Sequence, residues 1–194
     1  MEEKQMKEQD AQQYEGELTF WDHLEVLRWA LVRIAGVLVV ITIFTFMAMP
    51  YIFDQYILAP TTSNFFVYQW LEKVSGGILN FSDDFAIQII NINVASQFFT
   101  HISTSLSLAL VLTVPYIIYE IWRFVSPALY ENEKSAVRRA FTFSSALFYL
   151  GVAAGYLLIF PVMLYFFANY QVSPDVPNTF SLSSYISLLV STVL

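Results

Sequence analysis

Cysteine is absent from this chain of 194 residues, and charge is scarce. Without a thiol there is no disulfide, no zinc–thiolate site and no cysteine nucleophile. Charged residues make up 13%, against roughly 25% in an ordinary soluble domain. Only nine residues are basic, and a formal net charge of −7 offers no footprint for nucleic acid. Histidine occurs twice, as His23 and His101, and the topology derived below puts the two on opposite sides of a membrane, where they share no metal. Neither a serine–histidine arrangement nor a pair of intramembrane carboxylates is present, which argues against an intramembrane hydrolase. The chain reads as a non-enzyme with no cofactor.

What the chain has is apolar length. No charged side chain occurs between Arg33 and Asp54, between Asp84 and Glu120, or between Arg139 and Asp175. The runs at 34–53, 98–119 and 141–169 each reach the roughly 20 residues that a helix needs to cross a hydrocarbon core of about 30 Å. Hydrophobic residues reach 57%. The fold class is therefore all-α, a polytopic membrane helix bundle with spans at about 31–53, 98–121 and 141–169. Residues 182–194 are apolar but too short to span. They read as the opening of a fourth span, truncated. Span three carries Gly151 and Gly155, a spacing of small residues that permits close helix packing. Pro115 and Pro161 are expected to bend spans two and three.

Basic residues set the orientation. Lys4, Lys7, Arg28 and Arg33 precede span one, Arg123, Lys134, Arg138 and Arg139 lie between spans two and three, and only Lys73 lies between spans one and two. The N-terminus and loop 123–139 are expected to be cytoplasmic, and segment 54–97 external. Residues 1–17 are acidic, polar and without an apolar core, so they read as a disordered tail rather than a cleaved signal; the membrane domain then covers 18–194. Thr19 and Asp22 have capping-box spacing and predict a helix start, with Trp21, Leu24, Leu27 and Leu31 on one face. That helix is either a membrane-surface anchor or a docking surface. In the external segment, residues 65–71 suit a short amphipathic helix ended by Gly76 and Gly77, and 85–92 suits a strand or an extended piece. Ser126 and Pro127 read as the N-cap and first position of a new helix.

His101, among Thr100, Ser103, Thr104 and Ser105 near the outer end of span two, reads as a surface histidine at interfacial depth. The carboxylates Glu25, Glu120, Glu131 and Glu133 lie at or near the cytoplasmic interface. Carboxylates partly withdrawn from water hold guanidinium through bidentate charge-assisted hydrogen bonds, which is how a site tells arginine from lysine. Chemistry alone favours the plainer alternative, loop charge balancing Lys134, Arg138 and Arg139.

Several stretches resemble one family. Phe20-Trp21-Asp22-His23-Leu24-Glu25-Val26-Leu27-Arg28 resembles the opening motif of the TatC family, the multi-span receptor subunit of the twin-arginine protein translocase. Val94-Ala95-Ser96-Gln97-Phe98-Phe99-Thr100 is similar to the start of that family's second span. The most specific stretch runs from Pro115 to Glu133, including Tyr119-Glu120-Ile121-Trp122-Arg123 and Ser126-Pro127-Ala128-Leu129-Tyr130-Glu131-Asn132-Glu133. Phe148-Tyr149-Leu150-Gly151 and Phe160-Pro161 fit the third span.

The resemblance implies six spans with both ends cytoplasmic in a bacterial inner membrane, so that this chain stops within the fourth. It implies a scaffold that binds twin-arginine signal peptides of folded cargo, works with TatA-type and TatB-type single-span subunits, and self-associates in the bilayer. Glu133 falls on the family's signal-binding loop glutamate and Pro60 on its outer-loop proline. Glu25, Arg28 and Glu131 join Glu133 as candidate signal-peptide-binding residues. The opening motif departs from the pattern: the family commonly has Glu directly before Leu-Arg, where Val26 stands here, and a basic residue where Ala30 stands. Glu25 sits one position earlier, about 100° around a helix. The competing class, a small-solute transporter or channel subunit, calls for a broken helix or a midplane charge. The three spans contain prolines but no midplane carboxylate or lysine.

Overall fold

The structure, a computed structural model, describes the backbone of residues 2–74, 76, 87–170, 173 and 179–194, and within these the side chains from Trp21 onward apart from those of Asp22 and Glu131. In chain order the helices are α1 (Glu2–Ile52), α2 (Phe66–Val74), α3 (Ser96–Val125), α4 (Glu131–Ala154), α5 (Phe160–Asn169) and α6 (Leu182–Val193). A π-turn at Phe53–Ile57 and a 3-10 turn at Ala59–Thr61 follow α1, a 3-10 turn at Ser126–Ala128 follows α3, and a second π-turn, Gly155–Ile159, joins α4 to α5. Two short strands, β1 (Ile89–Ile90) and β2 (Phe180–Ser181), pair in parallel with Ile89 opposite Phe180.

Three continuous helical segments, His23–Thr61, Ser96–Ala128 and Asn132–Asn169, are long and apolar enough to cross a membrane. Only 11%, 28% and 22% of their most apolar stretches is buried within the protein, and Phe44, Met47, Phe143 and Leu147 lie on the outside. A soluble bundle would have to hide such a surface. Lipid tails, as apolar as leucine, impose no such demand. The chain is a multi-pass membrane protein.

Helix α1 departs from expectation at its start. It runs unbroken through Thr19 from Glu2, so the segment expected to be a disordered tail is helical and Thr19 opens nothing. Residues 2–18 are dominated by Glu, Gln, Lys, Met and Ala, all strong helix formers, and one glycine does not offset them. Ser126 and Pro127 likewise start no long helix. They form a single 3-10 turn, and α4 begins at Glu131 after an extended Tyr130, whose carbonyl accepts from the Glu133 and Lys134 amides at 2.9 and 3.2 Å. The external helix forms as α2 and is followed by Gly76 at φ 63°. Gly77, Phe85 and Ala86 lie outside the described residues, so only the Ile89–Ile90 part of the expected strand is seen.

Two clusters of buried apolar residues gather at the end of the spans where α1 turns into Ala59–Thr61. Met49 and Ile57 meet Phe160, Leu164, Tyr185 and Ile186 there, and Phe65, Val67, Tyr68 and Leu71 pack beside them. Pro60 is fully buried in this region, and its carbonyl accepts from the Tyr68 hydroxyl at 2.7 Å. Burial pushes that hydroxyl's pKa up.

Three prolines explain why particular side chains cross between helices. Proline has no N–H, so the carbonyl four residues earlier loses its helical donor. Pro50 frees the Phe46 carbonyl, and His101 Nε2 of α3 bonds it at 2.9 Å with its ring stacked on Phe46 at 4.0 Å. A carbonyl only accepts, so Nε2 carries the proton. Pro115 frees the Val111 carbonyl, which accepts from Tyr149 of α4 at 3.1 Å. Pro60 stands in a 3-10 turn, where its missing N–H frees the carbonyl three residues earlier, and that Ile57 carbonyl accepts from Tyr185 of α6, while the neighbouring Tyr56 carbonyl accepts from Tyr156. His101 is thus a cross-helix donor, not the simple surface histidine expected. A freed carbonyl at membrane depth requires a partner from a neighbouring helix.

Candidate functional site

The opposite end of the bundle is open. There α1 and α3 diverge around a cavity of about 660 Å³, lined by Glu25, Val26, Trp29, Ala30 and Arg33 from α1, Glu120, Arg123 and Phe124 from α3, and Pro127. Helical periodicity brings the α1 residues to one wall, because positions 25/26, 29/30 and 33 recur every three to four residues. The His23 ring leans on Phe124 with centroids 4.3 Å apart, closing one side. Trp122 meets Phe141 at 6.0 Å and ties α3 to α4 behind the cavity.

An ion pair with a buried carboxylate and a partly exposed guanidinium forms the floor. Arg33 Nε donates to Glu120 Oε1 at 3.0 Å and Arg33 Nη2 to Oε2 at 2.8 Å. The Tyr116 hydroxyl, one turn back on α3, donates to Oε1 at 2.9 Å. Glu120 retains 2% of its exposure, whereas the Arg33 side chain retains 36%. Both carboxylate oxygens are therefore taken by the chain's own guanidinium, in the fork geometry that makes Arg–carboxylate pairs specific. Glu25 is exposed on the cavity wall, where its carboxylate can accept from a ligand.

The structure sorts the sequence candidates. Glu25 lines the cavity, and so does Val26, so the one-residue departure in the opening motif leaves a carboxylate on the same wall. Arg28 is exposed and lies off the lining. Glu133 is exposed in the first turn of α4, outside the cavity. The Glu131 side chain lies outside the described residues. Pro60 belongs to the packed far end. The two glycines of α4 and its following turn separate: a Cβ on Gly155 would sit 2.7 Å from the Thr192 carbonyl oxygen of α6, while Gly151 has nothing within 4 Å. Sequence reading considered Glu120 but did not join it to Arg33. The available signal was depth, since each residue closes the same end of an apolar run and the two carry opposite charges. Among the described residues no three His, Asp or Glu converge to hold a metal.

Comparison with known proteins adds the context. The family model described as Sec-independent protein translocase protein (TatC) matches residues 22–194. The Sec-independent protein translocase protein TatC of Blattabacterium sp. subsp. Periplaneta americana (strain BPLAN) is 32% identical over 186 residues, covering 92% of this chain and 69% of that protein. The protein of the same name from Escherichia coli (strain K12) is 38% identical over 108 residues, covering 53% of this chain and 40% of that one. A crystal structure of the twin arginine translocase receptor TatC in DDM superposes with a TM-score of 0.65 at 25% identity, covering 88% of this chain and 68% of that one.

Proposed function

Because this chain belongs to the TatC family of Sec-independent protein translocase proteins, we propose that it is the receptor and scaffold subunit of a twin-arginine translocase, binding twin-arginine signal peptides on the cytoplasmic side for export of folded proteins. The observation that carries this reading is Glu25, an exposed carboxylate on the wall of an open cavity of about 660 Å³ at the basic-flanked end of the spans. A guanidinium entering there meets a bidentate acceptor in Glu25 and aromatic faces in Trp29 and Phe124 on which its plane can stack. Glu133, in the first turn of α4, takes the second arginine, and Arg28 and Glu131 are the remaining candidates for the signal peptide. The apolar part of the peptide then packs along the bundle. The Lys/Arg distribution supports a cytoplasmic N-terminus and a cytoplasmic cavity, and the family membership supports a bacterial inner membrane with TatA-type and TatB-type single-span subunits and further copies of the chain as partners.

The test is peptide binding to the protein in nanodiscs, comparing a twin-arginine signal peptide with its twin-lysine variant. The expected result is a preference of about tenfold or more for arginine. Glu25→Gln and Glu133→Ala should each weaken arginine binding while insertion into the membrane is unchanged. Equal affinity for the two peptides would overturn the reading.

A further inference from the structure

Arg33 and Glu120 take no part in the recognition just described, yet they form the floor of the same cavity. They are 87 positions apart in sequence, on different spans, and are joined through both oxygens of the carboxylate. Tyr116 fixes the carboxylate from its own helix. Along the rest of the α1–α3 contact, surfaces are largely apolar, and in lipid such surfaces have no solvent-driven preference for one register over another. Cross-helix polar contacts do occur deeper, where Thr45 Oγ1 donates to the Ser105 carbonyl at 3.0 Å and His101 Nε2 to the Phe46 carbonyl at 2.9 Å. They lie at least twelve residues from Arg33, about 18 Å along the axis. At that distance they leave the open end free to splay or rotate. The two-pronged contact at Arg33 does not, because both prongs fit only one rotation and one height of α1 against α3.

We propose that the Arg33–Glu120 pair is a positioning device for the signal-binding cavity, fixing the register of α1 against α3 and so holding Glu25 on the cavity wall. The inference rests on the signal-binding reading for its consequence, although the register itself is measurable without any ligand. Glu25 lies eight residues before Arg33 on the same helix, about two turns away. A one-residue slip of α1 carries Glu25 about 1.5 Å along the axis and about 100° around it, which takes it off the wall. Replacing an ion pair withdrawn from water by apolar residues of similar volume is often neutral or stabilising, and the best-attested use of such pairs is to select one register. The pair here has the geometry and the location for that use.

The experiment exploits the absence of cysteine. Spin labels on Leu31→Cys and Ile121→Cys, both exposed positions beside the pair, report the α1–α3 distance in nanodiscs without peptide, and affinity for the twin-arginine peptide is measured on the unlabelled protein. The Arg33→Met/Glu120→Met double variant keeps the volume and removes the charge. It should insert normally, show a broadened or shifted distance distribution, and lose about tenfold in peptide affinity. The exchanged pair, Arg33→Glu/Glu120→Arg, should recover a narrow distribution and part of the affinity, and it carries the test alone if the Met pair fails to insert. An unchanged distance and affinity in the Met pair, or a broad distribution in the exchanged pair, overturns the proposal. So does tighter peptide binding by Arg33→Gln, since Arg33 would then be competing with the signal for Glu120. A parent protein without arginine preference defeats the signal-binding reading, while the distance measurement still decides the register.

Discussion

Single side chains settle the accounts that proline leaves open. Pro50, Pro60 and Pro115 each strip one carbonyl of its helical donor, and in each case a ring from another helix supplies the replacement: His101, Tyr185 and Tyr149. The prolines are plain in the sequence. Their partners are not, because they lie 55, 128 and 38 positions from the carbonyls they serve. Tyr149 gives the cleanest measurement, since Tyr149→Phe removes only the hydroxyl and leaves the ring in place. It should lower unfolding stability in detergent by about 0.5–1.5 kcal/mol. The same substitution at Tyr51, an exposed tyrosine, should leave stability unchanged within about 0.5 kcal/mol. Equal losses at the two positions would show that the Val111 carbonyl does not depend on Tyr149.

At the level of elements, close approach and open space divide two glycines that look equivalent as a sequence spacing. Gly155 begins the π-turn and faces the backbone of α6, with the Thr192 carbonyl oxygen 2.7 Å from where a Cβ would stand. A backbone atom cannot swing aside as a side-chain tip can, so Gly155→Ala must displace α6. The expected cost is about 1–3 kcal/mol. Gly151→Ala meets nothing and gains helix propensity, so it should be neutral or stabilising by up to about 1 kcal/mol. Thermal unfolding of the two variants side by side checks this, and equal effects would mean that α6 does not sit against Gly155. Helix α1 shows the opposite relation between sequence and element. Its apolar run was legible, although the continuous helical segment, His23–Thr61, extends beyond it at both ends. Its start was not, because a polar stretch rich in helix formers satisfies the composition of a solvated tail and of a solvated helix alike.

For the whole molecule, the two ends of the bundle differ in kind. One is densely packed around Pro60, Tyr68, Phe160 and Tyr185, and the other opens into the cavity around Arg33 and Glu120. The positive-inside rule predicts that the open end faces the cytoplasm. A cysteine placed at Thr62 should therefore react with a membrane-impermeant maleimide added outside intact cells, and one at Asn132 should react only after the membrane is opened. Both positions are exposed in a chain that has no cysteine of its own. Labelling of Asn132→Cys in intact cells would reverse the orientation and remove the cavity from the side where signals arrive.

By itself the sequence determined the class, the three spans and the family likeness, because apolar length and short motifs are properties of contiguous residues. Tertiary structure alone decided which groups meet. It closed Arg33 onto Glu120, left Glu25 on the cavity wall, placed Glu133 outside the cavity, and turned His101 into a donor for a broken helix. Such pairings depend on the rotation and register of one helix against another. A periodic apolar pattern fixes neither, since in lipid several faces of the same helix satisfy it equally.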